Sequence, residues 1–164
     1  MNRRFLPAHD ERQIVRLYAL YCHYFNHGEA ENWAGIFAQD GSFTRLNAGA
    51  KQHGNFGNPA GSVVGRADLI EMAKSRREMF KGLVRHQQTD MVIEPGRDAD
   101  HAVGKSFILV TDWREGPGRL TAVGDCAAEF VRTAEGWRFL SITLSTLPRA
   151  AAQPAGAELV PATR

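Results

Sequence analysis

Leu83-Val-Arg-His-Gln-Gln-Thr-Asp-Met-Val-Ile-Glu-Pro-Gly96 is the stretch from which the rest of the chain is read. Its body reads as an extended strand over 83–94, and Glu94-Pro95-Gly96 stops it, because proline cannot continue a ladder and glycine turns easily. Three further segments of the same kind follow. Asp98-Ala-Asp100 turns into a strand over 101–113, and Glu115-Gly-Pro-Gly118 is a hairpin signal leading to a strand over 119–132. Ala134-Glu-Gly136 turns into a fourth, over 137–147. Long consecutive strands with short connections pair antiparallel with their neighbours, so this half of the chain predicts a meander.

Upstream the period changes. Residues 12–26 read as a helix, with Ile14, Leu17, Tyr18, Tyr21 and Phe25 on one face, Asp10 as its cap and Gly28 as its stop. Residues 29–38 read as a second helix, folded back on the first, with Ala30, Trp33, Ala34 and Phe37 as its buried stripe. Asp40-Gly41 reads as a turn, 42–46 as a short strand and the Gly-, Asn- and Pro-rich stretch 47–62 as a loop. A third helix spans roughly 66–81, with Leu69, Met72, Ala73 and Phe80 apolar. Helices first and strands afterwards predict an α+β cone: three helices on a curved, mostly antiparallel sheet, with a pocket between them.

Composition bounds the function. The 164 residues suit one domain, expected over 1–147, with an Ala/Pro-rich tail over 148–164. Twenty basic residues against 18 acidic ones leave a net charge of +2, too balanced for nucleic acid as a main partner. No apolar run reaches the roughly 18 residues of a membrane span, and the N-terminus is a poor signal peptide. Two cysteines, Cys22 and Cys126, make neither a disulfide framework nor a four-ligand zinc site, so a cytoplasmic setting is expected. His23 and His27 lie four apart on a helix, but no third ligand joins them, and no metal or organic cofactor is expected.

His86 stands in a strand where a plain core would hold an apolar residue; the bland reading ties it to a backbone carbonyl. Tyr18, Tyr21 and Tyr24 form a stripe that reads first as core, with Tyr21 the best placed to offer a hydroxyl to a ligand. Arg45 shares the face of Phe43 by the period of two, which points it inward, where it needs an anion from the protein or from a ligand. Asp112, before Trp113, reads as a solvated residue at a strand end.

In order and spacing, several pieces together resemble the SnoaL-like branch of the nuclear transport factor two superfamily over residues 8–147. They are Ile14-Val-Arg-Leu-Tyr18, Ile36-Phe-Ala-Gln-Asp-Gly-Ser-Phe43, the Gly65-Arg66 helix start, Arg85-His86 through Glu94, and Gly136-Trp-Arg-Phe139. The resemblance is to the branch of scytalone dehydratase and hexachlorocyclohexane dehydrochlorinase, which are cofactor-free lyases. It implies His86 as the proton-removing base and Asn26 at the position of the carboxylate that orients it. A second histidine of the dehydratase falls near Asp112, and its pocket tyrosine falls on Arg45. Ketosteroid isomerase, a relative by fold, places its oxyanion tyrosine on Tyr21.

The expected function is therefore a cofactor-independent lyase or isomerase, polyketide cyclase-like in fold, acting on an apolar, oxygenated, cyclic small molecule. His86, Asn26, Tyr21 and Asp112 are its candidate catalytic residues; Arg45, Tyr24, Phe25 and Trp33 are its candidate substrate-binding residues. The alternative is a non-catalytic binding or assembly module of the same fold. A homo-dimer or homo-trimer through the outer face of the sheet is implied by the resemblance alone.

Overall fold

A computed structural model describes residues 5–47 and 61–147. Most of the expected loop 47–62 and the expected tail from residue 148 lie outside the described residues. The elements run α1 (Ala8–His27), α2 (Ala30–Gly35), β1 (Phe37–Asn47), β2 (Gly61–Val64), α3 (Arg66–Phe80), β3 (Val84–Pro95), β4 (His101–Asp112), β5 (Arg119–Thr133) and β6 (Gly136–Thr146). The architecture is the expected α+β one, three helices against a curved six-stranded sheet ordered β2-β1-β6-β5-β4-β3. Strands β3 to β6 form the antiparallel meander, and β1 joins β6 in parallel.

Three local expectations are corrected. Helix α1 starts earlier than residue 12, because the Pro7 carbonyl accepts from the backbone N–H of Asp10 (2.9 Å) and Glu11 (3.1 Å). Proline is pre-set for a helix start. Asp10 is therefore inside the first turn and does not cap it. Helix α2 has six residues, and Phe37 of its expected stripe already belongs to β1. Asp40-Gly41 is not a turn between elements but part of a bulge in β1, where the register with β6 slips between Phe37 and Ser42. A Cβ on Gly41 would sit 3.0 Å from the Ala38 carbonyl oxygen and 3.1 Å from that of Phe139, so a larger residue fits there only if the backbone around it gives by a few tenths of an ångström.

Bulges also give the sheet its curvature. In β3 the register shifts between Thr89 and Val92, with Asp90 in the left-handed region at φ 53°. Others interrupt β4–β5 after Val110 and β5–β6 after Glu129. The main core gathers Tyr18, Trp33, Phe37, Phe130, Trp137 and Phe139 between the helices and the concave face. A second apolar cluster of Phe80, Val84, Ile108, Val110, Ala122 and Leu144 lies at the end where α3 meets β3.

At the far end, Asp10 is buried and fully engaged. Arg132 donates to its two oxygens at 2.9 and 2.7 Å, and Trp137 Nε1 donates at 3.1 Å. The Arg132 guanidinium also lies 4.6 Å over the Trp137 ring. This network ties the start of α1 to β5 and β6, and it holds the Asp10 carboxyl at about 2, below its usual 3.8.

Candidate functional site

The second cluster borders a cavity of about 250 Å³. Its floor follows the sheet register: His86 on β3 pairs with Val110 on β4, which pairs with Ala122 on β5. Further along, Leu144 on β6 pairs with Arg45 on β1. Helix α1 contributes Tyr21 and Phe25, and α3 contributes Met72, Arg76 and Phe80. The titratable side chains His86, Tyr21, Arg45 and Arg76 thus stand in a largely apolar chamber, with the hydroxyls of Ser62 and Thr146 at its wall.

His86 is buried, with its ring between Phe25 (5.0 Å between centroids) and Phe80 (5.7 Å). The side-chain amide of Asn26 fixes it. Asn26 Nδ2 donates to the His86 carbonyl at 3.0 Å, while Asn26 Oδ1 accepts from the His86 backbone N–H at 2.8 Å. The amide thus behaves as one more rung on the outer edge of β3, the last strand of the sheet. These two backbone contacts assign the amide's oxygen and nitrogen without ambiguity. Oδ1 also lies 3.0 Å from His86 Nδ1, and an oxygen can only accept there. The ring proton therefore sits on Nδ1 and the lone pair on Nε2.

Burial, reinforced by the charges of Arg45 and Arg85, lowers the His86 pKa from 6.5 to about 4. The ring is neutral at neutral pH. Burial pushes the Tyr21 hydroxyl well above its ordinary value of 10, so it stays protonated and can donate. Burial also lowers the pKa of Arg45 and Arg76, and Arg45 adds to the shift at Arg76. Arginine nevertheless remains charged in proteins.

Several sequence expectations meet here: His86, Tyr21, Arg45 and Phe25 all line the cavity, and Asn26 stands behind His86. Others do not. Trp33 is fully buried behind the chamber, 5.5 Å from Tyr21 and 5.1 Å from Phe25 between ring centroids. Tyr24 is half-buried against the main core and is not part of the lining. Asp112 is buried rather than solvated, and its carboxylate is taken by Arg114 at 2.8 and 3.0 Å. Arg114 in turn lies 5.8 Å over the Phe80 ring, so the pair buttresses the chamber wall from behind and does not reach His86. His23 and His27 are exposed and stacked, with His27 Nδ1 on the His23 carbonyl at 2.7 Å. Among the described residues no three His, Cys, Asp or Glu side chains gather as a metal site would require.

Arg76 was not foreseen. It stands in a polar run, Lys74-Ser-Arg-Arg-Glu78, that reads as a solvated helix face. The available signal was its place four residues before Phe80 and four after Met72, both on the apolar stripe.

The fold recurs among solved structures. A nuclear transport factor two-like protein with a cystatin-like fold from Novosphingobium aromaticivorans superposes with a TM-score of 0.70 at 21% identity, over 88% of this chain and 86% of that one. A point variant of Rv3472, a protein of unknown function from Mycobacterium tuberculosis, gives 0.71 at 25% identity, over 92% and 84%. A Catenulispora acidiphila protein solved in complex with S-DNPA gives 0.66 at 20% identity, over 85% and 95%. No curated protein matches. Among the described residues no helix is long and apolar enough to cross a membrane. A model of the SnoaL-like domain matches residues 7–143, nearly the whole described chain, and the protein belongs to that family.

Proposed function

We propose that the protein is a cofactor-independent lyase or isomerase in which Nε2 of His86 removes a proton from carbon beside an electron-withdrawing group of a small cyclic substrate. The observation that carries this reading is the Asn26–His86 contact: it puts the ring proton on Nδ1 and leaves Nε2 as an acceptor on a residue that lines the chamber. Tyr21 donates to the substrate oxygen on which charge develops, and the Arg45 guanidinium stabilises that charge. A base of pKa about 4 is weak. Most of the lowering of the barrier must therefore come from these two groups, which make the carbon more acidic, rather than from the basicity of His86.

The solved complex of a relative with a small molecule supports ligand binding in this fold. On the same footing we read the free Cys22 and Cys126 as suiting a reducing cytoplasm. The exposed Val92, Val103 and Phe107 on the outer sheet face suit self-association as a dimer or trimer, which sedimentation would measure.

Nitrobenzisoxazole tests the base directly. Its ring opens when a base takes the carbon-bound proton, the nitrogen–oxygen bond breaks and a cyanophenolate leaves. Turnover above that of free imidazole is expected, rising with pH through about 4 as His86 loses its proton and level above it. His86→Gln should fall to background; unchanged turnover in that variant would remove His86 from the reaction.

A further inference from the structure

We propose that Arg45 and Arg76 together form a two-armed site for the carboxylate of a small aromatic or cyclic organic acid, whose ring packs on Phe25, Phe43 and Phe80. The proposal deepens the function given above and rests on it only for which end of the ligand faces His86.

Both guanidiniums line the one chamber, from opposite layers: Arg45 from β1 of the sheet and Arg76 from α3. Each is half-buried. Among the described residues neither forms an ion pair. Arg45 Nε is buried without a hydrogen-bond partner, and the one bond found for Arg76 is a long contact of 3.8 Å from Nη1 to Met79 Sδ. Among the described residues no Asp or Glu lines the chamber. Outside the described residues the sequence holds one acidic side chain, Glu158, and five basic ones, Arg3, Arg4, Lys51, Arg149 and Arg164.

A charge held out of water without a counter-charge is costly, and two like charges facing one chamber compound the cost. The half-buried Arg114 behind the chamber wall is answered by Asp112, and at the far end the exposed Arg132 is answered by Asp10. What would relieve Arg45 and Arg76 is an anion from outside the chain. A planar carboxylate accepts two parallel N–H bonds from one guanidinium and leaves lone pairs for a second. The chamber walls specify the rest of the molecule. Phe25, Phe43, Phe80, Met72, Val110 and Leu144 offer ring and alkyl surface, and about 250 Å³ accommodates one or two fused rings. A ligand anchored by its carboxylate between the arginines presents its adjacent carbon toward Tyr21 and His86.

The test is calorimetric titration of the full chain with naphthoate, naphthamide and sulfate. Naphthoate is expected to bind at least about tenfold more tightly than either of the others. Naphthamide binding as tightly as naphthoate would show that charge is not read. Sulfate binding as tightly would show that the apolar wall is not used. Either result overturns the proposal. Arg45→Gln and Arg76→Gln should each weaken naphthoate by about tenfold, and the double variant by more.

Arg45→Lys and Arg76→Lys guard against misfolding. They keep the charge without the fork and should fall between native and Gln, with melting curves like the native one. Unchanged binding in both Gln variants overturns the anion site. A Glu158→Gln chain that binds naphthoate about tenfold better than native would show that the site is filled from within the chain, and overturns it as well. The two readings fail separately. Loss of naphthoate in the arginine variants, with nitrobenzisoxazole turnover unaffected by His86→Gln, would leave the anion site standing and remove the enzyme. Turnover that depends on His86, with naphthoate indifferent to the arginines, would do the reverse.

Discussion

The two ends of the molecule treat buried charge in opposite ways. At the end where α1 begins, Asp10 meets Arg132 and Trp137, and every polar atom of the carboxylate is used. At the other end, Arg45 and Arg76 face an apolar chamber beside a neutral His86, and among the described residues no carboxylate of the chamber answers them. The same residue type is thus structural in one place and available in the other. What separates them is not exposure, since Arg132 is itself part-exposed, but whether the chain supplies the counter-charge. A completed network stabilises the fold; an incomplete one stores free energy that a ligand can release.

Four measurements would break or sharpen that contrast. The largest effect belongs to the closed end. Asp10→Ala leaves Arg132 and the Trp137 N–H without their acceptor and should cost about 3–4 kcal/mol of unfolding free energy in urea. A loss below about 1 kcal/mol would mean that water replaces the carboxylate, and the two ends would no longer differ in kind.

The pH dependence of stability comes next. His86 titrates near 4 in the folded chain against an ordinary 6.5, so between those values the unfolded chain holds the extra proton. Stability should be complete above about 6.5 and fall by about 3 kcal/mol at most as the pH drops toward 4. The charges that bear on the ring are Arg45 and Arg85. Asp10 titrates in a separate window: its contribution is present above 3.8 and lost as the pH falls through about 2. His86→Gln should flatten the upper limb and leave the lower one. Naphthoate bound to the arginines should move the upper limb, because a carboxylate offsets the cationic field and raises the His86 pKa.

Asn26→Asp is smaller and tests the hinge between fold and site. The carboxylate loses the donor to the His86 carbonyl and sets an oxygen against it, at a cost of about 1–2 kcal/mol. The same charge should raise the His86 pKa above about 4, read by NMR. An unmoved pKa would show that position 26 does not govern the ring. The smallest effect has the opposite sign. Arg45→Met removes an unanswered cation and should raise stability by up to about 1 kcal/mol while weakening naphthoate binding by about tenfold. A destabilised Arg45→Met would mean that the arginine is structural after all.

The fold was largely readable in the chain, though the pairing of its charges was not. The meander from residue 83 onward was readable because turns are local: Pro95-Gly96 and Gly116-Pro117-Gly118 end strands by their own dihedral preferences. His86 and Asn26 were placed together because each holds a position that the family's spacing marks. Asp10 was misread as a cap because caps are judged from neighbours in sequence, whereas its partners lie 122 and 127 residues away. Asp112 was misjudged for a related reason: its burial and its capture by Arg114, which lies over Phe80, are properties of the packed wall, not of a strand end.

Although it read the start of β2 as loop, the sequence by itself determined the order of the three helices and the four meander strands and the inward face of β1. These follow from periods of two and of three to four, from glycine and proline, and from side-chain chemistry that does not depend on distant partners. Only the tertiary structure decided which charges are answered. Arg76 and Arg77 are adjacent and alike in sequence, yet Arg76 is half-buried in the chamber and Arg77 is exposed. A helix turns about 100° per residue, so neighbours on it face different surroundings. Those surroundings are set by strands that the helix meets only after the sheet has curved.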